Sequence, residues 1–181
     1  MRRAWVLIIV SLVFLLSFNL LFTKVYAATD DTIASASSQQ VNYELPYPGL
    51  LPDSPLYILR AIRDRIVGFF ISDPLKKSEF NLLQADKRLN AGIYLVNKGK
   101  VSLALSTISK AENYFDEALG KMEEAKKQKE NAGEIKGRMK NALKKHEQEL
   151  GILIKRINTD YQGGFEIQLK RVLSFEKRLS R

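Results

Sequence analysis

Chemistry in this chain has few places to reside. His146 is the only histidine, and it sits in His146-Glu147-Gln148-Glu149. That segment lacks the second histidine of a zincin, and residue 143 is Leu where a bundle di-metal site would need Glu-x-x-His. On a helical reading His146 falls on an apolar stripe, which fits a partly buried ring with a hydrogen-bond partner. Glu112 and Asp116 lie one turn apart, as do Asp86 and Asn90. Two acids at that spacing can hold a hard cation or share a proton. Here Lys110 adjoins the first pair, Lys87 and Arg88 adjoin Asp86, and Arg60, Arg63 and Arg65 surround Asp64, so solvated ion pairs are expected. Gly163-Gly164 lacks the spacing of a phosphate-binding loop, and there is no nucleophile elbow or serine–lysine motif. No catalytic, cofactor-binding or metal-binding residue is expected.

Two stretches are candidates for binding. Residues 43–57 hold four of the five prolines and three tyrosines, Tyr43, Tyr47 and Tyr57. These tyrosines can dock a partner, or the segment can strap an open face of the domain with the rings half-buried. Pro48-Gly49 is a turn pair, because proline presets φ and glycine accepts a positive φ at the next position. The second stretch is basic: Lys126, Lys127, Lys129, Lys136, Arg138, Lys140, Lys144 and Lys145 cluster around a break between two helices. It suits anionic lipid headgroups, an anionic envelope polymer or an acidic partner; the plain alternative is a soluble lysine-rich surface. Charge alone also admits nucleic acid, but export and the absence of interleaved aromatics argue against it.

The amino terminus says where such surfaces would work. Arg2 and Arg3 precede an apolar run over residues 4–22, and Val25-Tyr26-Ala27 supplies a small-residue exit. Charged start, apolar middle and small exit make a secretory signal. A membrane anchor of roughly 17–25 residues competes with that reading, with Trp5 and Tyr26 placed at the two interfaces. Cleavage after Ala27 or retention as an anchor both leave residues 28–181 outside the cytoplasm. With no cysteine in 181 residues, lipoprotein processing, disulfides and thiolate zinc sites are excluded. Charge is uneven: residues 28–120 carry 10 basic and 11 acidic groups, whereas residues 121–181 carry 16 and 9.

Residues 28–42 are mostly small and polar and read as a linker, since they bury too little surface to offset the entropy of ordering. Beyond the strap everything reads as helix, and the class is all-α. Ser54-Pro55 and Asp73-Pro74 each place a capping side chain before a proline suited to the first helical turn. A first helix over about 55–71 shows Leu59, Ile62, Ile66 and Phe69 at 3–4 spacing on one stripe, and is expected to form the compact bundle with the next two. A second over about 74–97 carries Leu75, Leu82, Leu89, Ile93 and Val96, and ends at Gly99. A third over about 100–130 has the clearest heptad pattern, from Val101 through Ile108 and Phe115 to Ala125. The fourth, about 134–160, aligns Ile135, Met139, Ala142, His146, Leu150, Leu153 and Ile157. The fifth is expected after a break at Gly163-Gly164, over about 165–180, with Phe165, Leu169, Val172 and Leu179. Short breaks force neighbours antiparallel. The expectation is an antiparallel bundle of about five helices over residues 43–181, with a long basic helical-hairpin extension, preceded by the signal or anchor helix.

Residues 43–70, with Leu45-Pro46-Tyr47-Pro48-Gly49-Leu50-Leu51-Pro52-Asp53-Ser54-Pro55 leading into Leu59-Arg60-Ala61-Ile62-Arg63, resemble a bacterial family, domain of unknown function 5667. So do Ser72-Asp73-Pro74-Leu75-Lys76-Lys77, Ala85-Asp86-Lys87-Arg88-Leu89-Asn90, and Lys110-Ala111-Glu112-Asn113-Tyr114-Phe115. The likeness spans about 43–120 and implies an exported or tethered helical protein, with no activity attached. Gly92, Gly99, Ala104 and Ala111 are also similar to the small positions of one tetratricopeptide hairpin, but nothing recurs about 34 residues away. That pattern suits two helices crossing closely. The functional expectation is therefore a non-catalytic protein–protein or scaffold role at the cell envelope, in contact with an envelope protein. Polyanion or membrane-surface binding through the basic third is the alternative, and a hydrolase is the remote one.

Overall fold

The structure, a computed structural model, describes residues 41–180. The signal or anchor segment expected over 1–27 lies outside them. Five helices are described: α1 (Tyr57–Phe70), α2 (Pro74–Asn97), α3 (Val101–Lys127), α4 (Gly133–Arg156) and α5 (Thr159–Ser180). No strand occurs among the described residues, and no helix there is long and apolar enough to cross a membrane.

The helix ends follow their local chemistry. Asp73 Oδ1 accepts the Lys76 N–H at 2.9 Å and caps α2, with Pro74 in its first turn. Gly99, at φ +73°, terminates α2, as Gly99 N–H bonds Val96 O and Lys100 N–H bonds Leu95 O. The same pair of bonds closes α3, from Lys129 N–H to Lys126 O and from Glu130 N–H to Ala125 O. There the left-handed position is taken by Lys129, at φ +63°. The Ser54-Pro55 signal lies upstream of α1 in a turn closed by Tyr57 N–H to Ser54 O at 3.0 Å.

Helices α2 to α5 make a four-helix bundle. Hydrogen bonds and ion pairs fix its order. Glu79, Asp86 and Asn97 of α2 meet Arg138, His146 and Arg156 of α4 in sequence, so those helices run parallel. On the opposite side, Asn113 and Glu123 of α3 meet Arg171 and Arg178 of α5. The apolar faces of all four close on a core with Leu82, Leu89, Ile108, Phe115, Met139, Leu150 and Phe165 fully buried. Every stripe expected on the last four helices points inward or lies at the edge of this core.

Three expectations are corrected. The basic hairpin does not protrude: α4 and α5 complete the bundle, and Ile135 and Met139, near the start of α4, are buried in the shared core. Gly163-Gly164 does not break the chain. The break comes earlier, between Arg156 and Thr159, and both glycines lie inside α5. At Gly164 a Cβ would stand 2.5 Å from Leu105 Cδ2, so this glycine serves close approach of α5 to α3 rather than a turn. Thirdly, the Leu59, Ile62, Ile66 and Phe69 stripe of α1 faces solvent, not the core. The reason is occupancy: α2 has already turned most of its apolar side to the bundle, and what it offers α1 is Lys77, Lys87 and Arg88 with the single ring of Phe80.

Gly92 confirms the close crossing of α2 and α3, since a Cβ there would lie 2.3 Å from Ile108 Cγ1. Gly92→Ala should cost about 1–3 kcal/mol through overpacking, read from urea unfolding. Lys129→Gly should gain about 0.5–1 kcal/mol by relieving the left-handed lysine, seen as a rise in thermal midpoint.

Candidate functional site

Three helices and the strap meet at His146. The ring is fully buried. Its Nε2 lies 3.1 Å from Asp86 Oδ1 on α2, and its Nδ1 lies 3.0 Å from Glu112 Oε1 on α3. Tyr43 of the strap donates its hydroxyl to the other Asp86 oxygen at 2.6 Å. Phe115 stands edge-on to the ring at 5.3 Å. Burial disfavours a charged imidazole, but the Glu112 charge, hydrogen bonds to Asp86 and Glu112, and the Asp86 charge together outweigh it. The ring is pushed up to about 10 and is an imidazolium at neutral pH. Burial and the adjacent Asp86 likewise hold the Tyr43 hydroxyl protonated, well above the usual phenol range. Glu112 Oε2 has no hydrogen-bond partner among the described residues.

This arrangement is suited to holding helices in register. Both ring nitrogens are engaged, each with a carboxylate from a different helix, and neither is presented to a substrate. Asp86 and Glu112, expected as solvated members of surface ion pairs, are instead buried acids serving one cation. Asp64 does form the local pairs expected of it, with Arg60 at 3.6 Å and Arg63 at 2.7 Å.

The tyrosines separate in role. Tyr43 is tied to Asp86, Tyr57 is half-buried, and Tyr47 is 75% exposed. The strap is held along α2 by Asn90 Nδ2 to Pro46 O at 2.9 Å and, beyond a buried Pro48, by Asp53 bridging Lys98 and Lys100. Gly49 takes φ +70° there, as the Pro-Gly pair requires.

Of the basic cluster, Lys126, Lys127, Lys129, Lys140 and Lys144 are exposed and Lys136 is half-buried. Arg138 faces Glu79 at 3.8 Å, and Lys145 pairs with Glu149 at 2.7 Å. Lys140 and Lys144 line an open groove with Asn141 of α4 and Glu176 and Lys177 of α5. The cluster therefore splits between a loop and a groove rather than forming one continuous surface.

The surface that sequence reasoning missed is α1. Its inward side carries the two buried residues Asp64 and Gly68, the latter against the Phe80 ring, and Arg60 donates to Leu50 O at 2.6 Å. Lys77 donates to Gly68 O from below, while Arg88 bonds Gln84 Oε1 at 2.5 Å and lies over the Tyr114 ring at 4.1 Å. Burial pushes Arg60 below its ordinary range despite Asp64, and burial with nearby Arg60 does the same to Lys87. The opposite side carries Ile58, Leu59, Ile62, Ile66, Phe69 and Phe70, from 51% to 81% exposed. Arg63 and Arg65 are exposed on its two flanks. The helix is inside-out. Its spacing disclosed an apolar stripe, and Arg60-Asp64 one turn apart on the other side was the available hint that this side would be the one to dock.

Fold and surface thus define an all-α four-helix bundle overlaid by an amphipathic helix with its apolar side out. The chain belongs to the family described as Domain of unknown function (DUF5667), whose model matches residues 49–159. The match begins within the strap, six residues after the likeness seen in the sequence, and runs through α4, well past residue 120 where that likeness ended. No curated protein and no solved structure matches the chain.

His146→Leu should lose about 3–5 kcal/mol, because it strands two buried carboxylates, measured by denaturant unfolding at neutral pH. The pH dependence has a definite sign. A ring whose folded value lies above its unfolded value of about 6.5 stabilises fully below that pH. The contribution fades as pH rises towards about 10. Wild-type stability should fall across this window, and the His146→Leu variant should lack that part of the decline.

Proposed function

We propose that the chain is an exported or membrane-tethered, non-catalytic module that acts through its surface at the cell envelope. The observation that carries this reading is the outward apolar side of α1, where six large apolar side chains on one helix are each more than half exposed. The leader composition supports the location. The enclosure of the only histidine between two carboxylates supports a structural rather than a chemical use of the titratable groups.

A second reading has its own observation. Lys140, Lys144 and Lys177 converge on one groove, which suits an anionic envelope polymer. Retention of the protein on such a polymer at low salt, lost by about 0.5 M as screening shortens to a few ångströms, would favour it.

The primary test is fractionation with amino-terminal sequencing and protease protection. Recovery outside the cytoplasm, beginning at Ala28 or retained in the membrane from Met1, is the expected result. A full-length chain dissolved in the cytoplasm would overturn the reading.

A further inference from the structure

We infer that α1 lies on an anionic lipid bilayer, with Ile58, Ile62, Ile66 and Phe69 in the acyl boundary and Arg65 at the headgroups. This deepens the reading above by naming the partner of the α1 surface, and it rests on that reading for the location.

Geometry comes first. Ile58, Ile62, Ile66 and Phe69 follow at intervals of four, four and three, so they form one ridge along the helix. Leu59 and Phe70 widen it, and Phe69 and Phe70 meet edge-on at 5.6 Å at its end, 81% and 76% exposed. Interfacial helices of this kind bury their apolar side at the boundary between headgroups and acyl chains.

Charge complementarity points the same way. The only acid of α1, Asp64, is turned inward and neutralised by Arg60 and Arg63. The outward side therefore presents Arg65 and no carboxylate, and an arginine stem lies along apolar surface while its head reaches phosphate. Self-pairing across a two-fold axis would bring the arginine flanks of two copies together, which disfavours a second copy as the occupant.

Chain length adds a third argument. Eighteen residues separate Phe22, the end of the apolar leader, from Val41. Fully extended they span at most about 60 Å. A retained leader would therefore confine the domain near a membrane surface, where a modest intrinsic affinity suffices.

The test uses the full chain reconstituted in vesicles of phosphatidylglycerol and phosphatidylcholine. Trp5→Phe removes the only native tryptophan, and Phe69→Trp or Ile62→Trp then reports from the ridge. Both native side chains are more than half exposed, so the substitutions leave the bundle intact; an unchanged melting curve checks this. Acyl-brominated lipid should quench each reporter at least twofold, with acrylamide quenching reduced by a similar factor. Arg65→Glu, which touches no ion pair of the fold, should cut the lipid quenching at least twofold, and Lys140→Glu with Lys144→Glu should leave it unchanged. A reporter open to acrylamide and untouched by bromine overturns the inference, while fractionation outside the cytoplasm would still stand. Protection from acrylamide without bromine quenching, lost on dilution of protein in the bilayer, assigns the ridge to a second copy and also overturns it. Loss of quenching in the Lys140 and Lys144 variant transfers lipid binding to the basic groove, with the same consequence.

Discussion

A charged imidazole closed off from water is a demanding object to accommodate, and this bundle is arranged around one. Desolvating the ring is unfavourable unless each nitrogen meets an acceptor, and the two acceptors come from different helices. Asp86 on α2, Glu112 on α3 and His146 on α4 can satisfy one another in one register only. A slip of one residue on any of the three would leave a buried charge without a partner. Tyr43 extends the same requirement to the strap, because its hydroxyl occupies the remaining Asp86 oxygen. The ionic cluster thus supplies the specificity that an apolar core of Leu, Ala, Ile and Met would leave loose.

The consequences travel outward. Once the apolar stripes of α2 to α5 are committed to a shared core, the outer faces of α2 and α3 present Gln84, Lys87, Arg88 and Thr107. The strap, anchored at Asp86, Asn90, Lys98 and Lys100, delivers the chain back over that polar exterior as α1. A helix arriving there turns its Arg60, Asp64 and Gly68 side inward, where Lys77 and Phe80 of α2 meet Gly68. The apolar side is left facing out. The exposed ridge is therefore a product of the core's architecture, and it follows from the same helices that the His146 cluster holds together.

Much of this was legible from residue types and spacing. Helix α2 runs from Pro74 to Asn97 as read, because Asp73-Pro74 and Gly99 are strong local signals and local geometry decides them. The inward stripes of α3 and α4 were legible for a related reason: a helix with one apolar side and one charged side in a bundle has a single favourable orientation. Gly163-Gly164 misled, since glycine marks either a turn or a close approach, and only the position of Leu105 distinguishes them. His146 was placed on the correct stripe, but its partners lie 34 and 60 residues away, beyond any spacing rule.

The amino-acid sequence by itself determined the helical class, most helix boundaries, the apolar stripes and the absence of any disulfide. These depend on interactions within one or two turns, where spacing and distance are the same thing. Tertiary structure alone decided which acids are buried, whether the basic helices join the bundle, and which way α1 faces. Those outcomes depend on what each surface meets across the fold. An apolar stripe has the same sequence whether it is turned to a core or to the outside, and only the polarity of the neighbouring face selects between them.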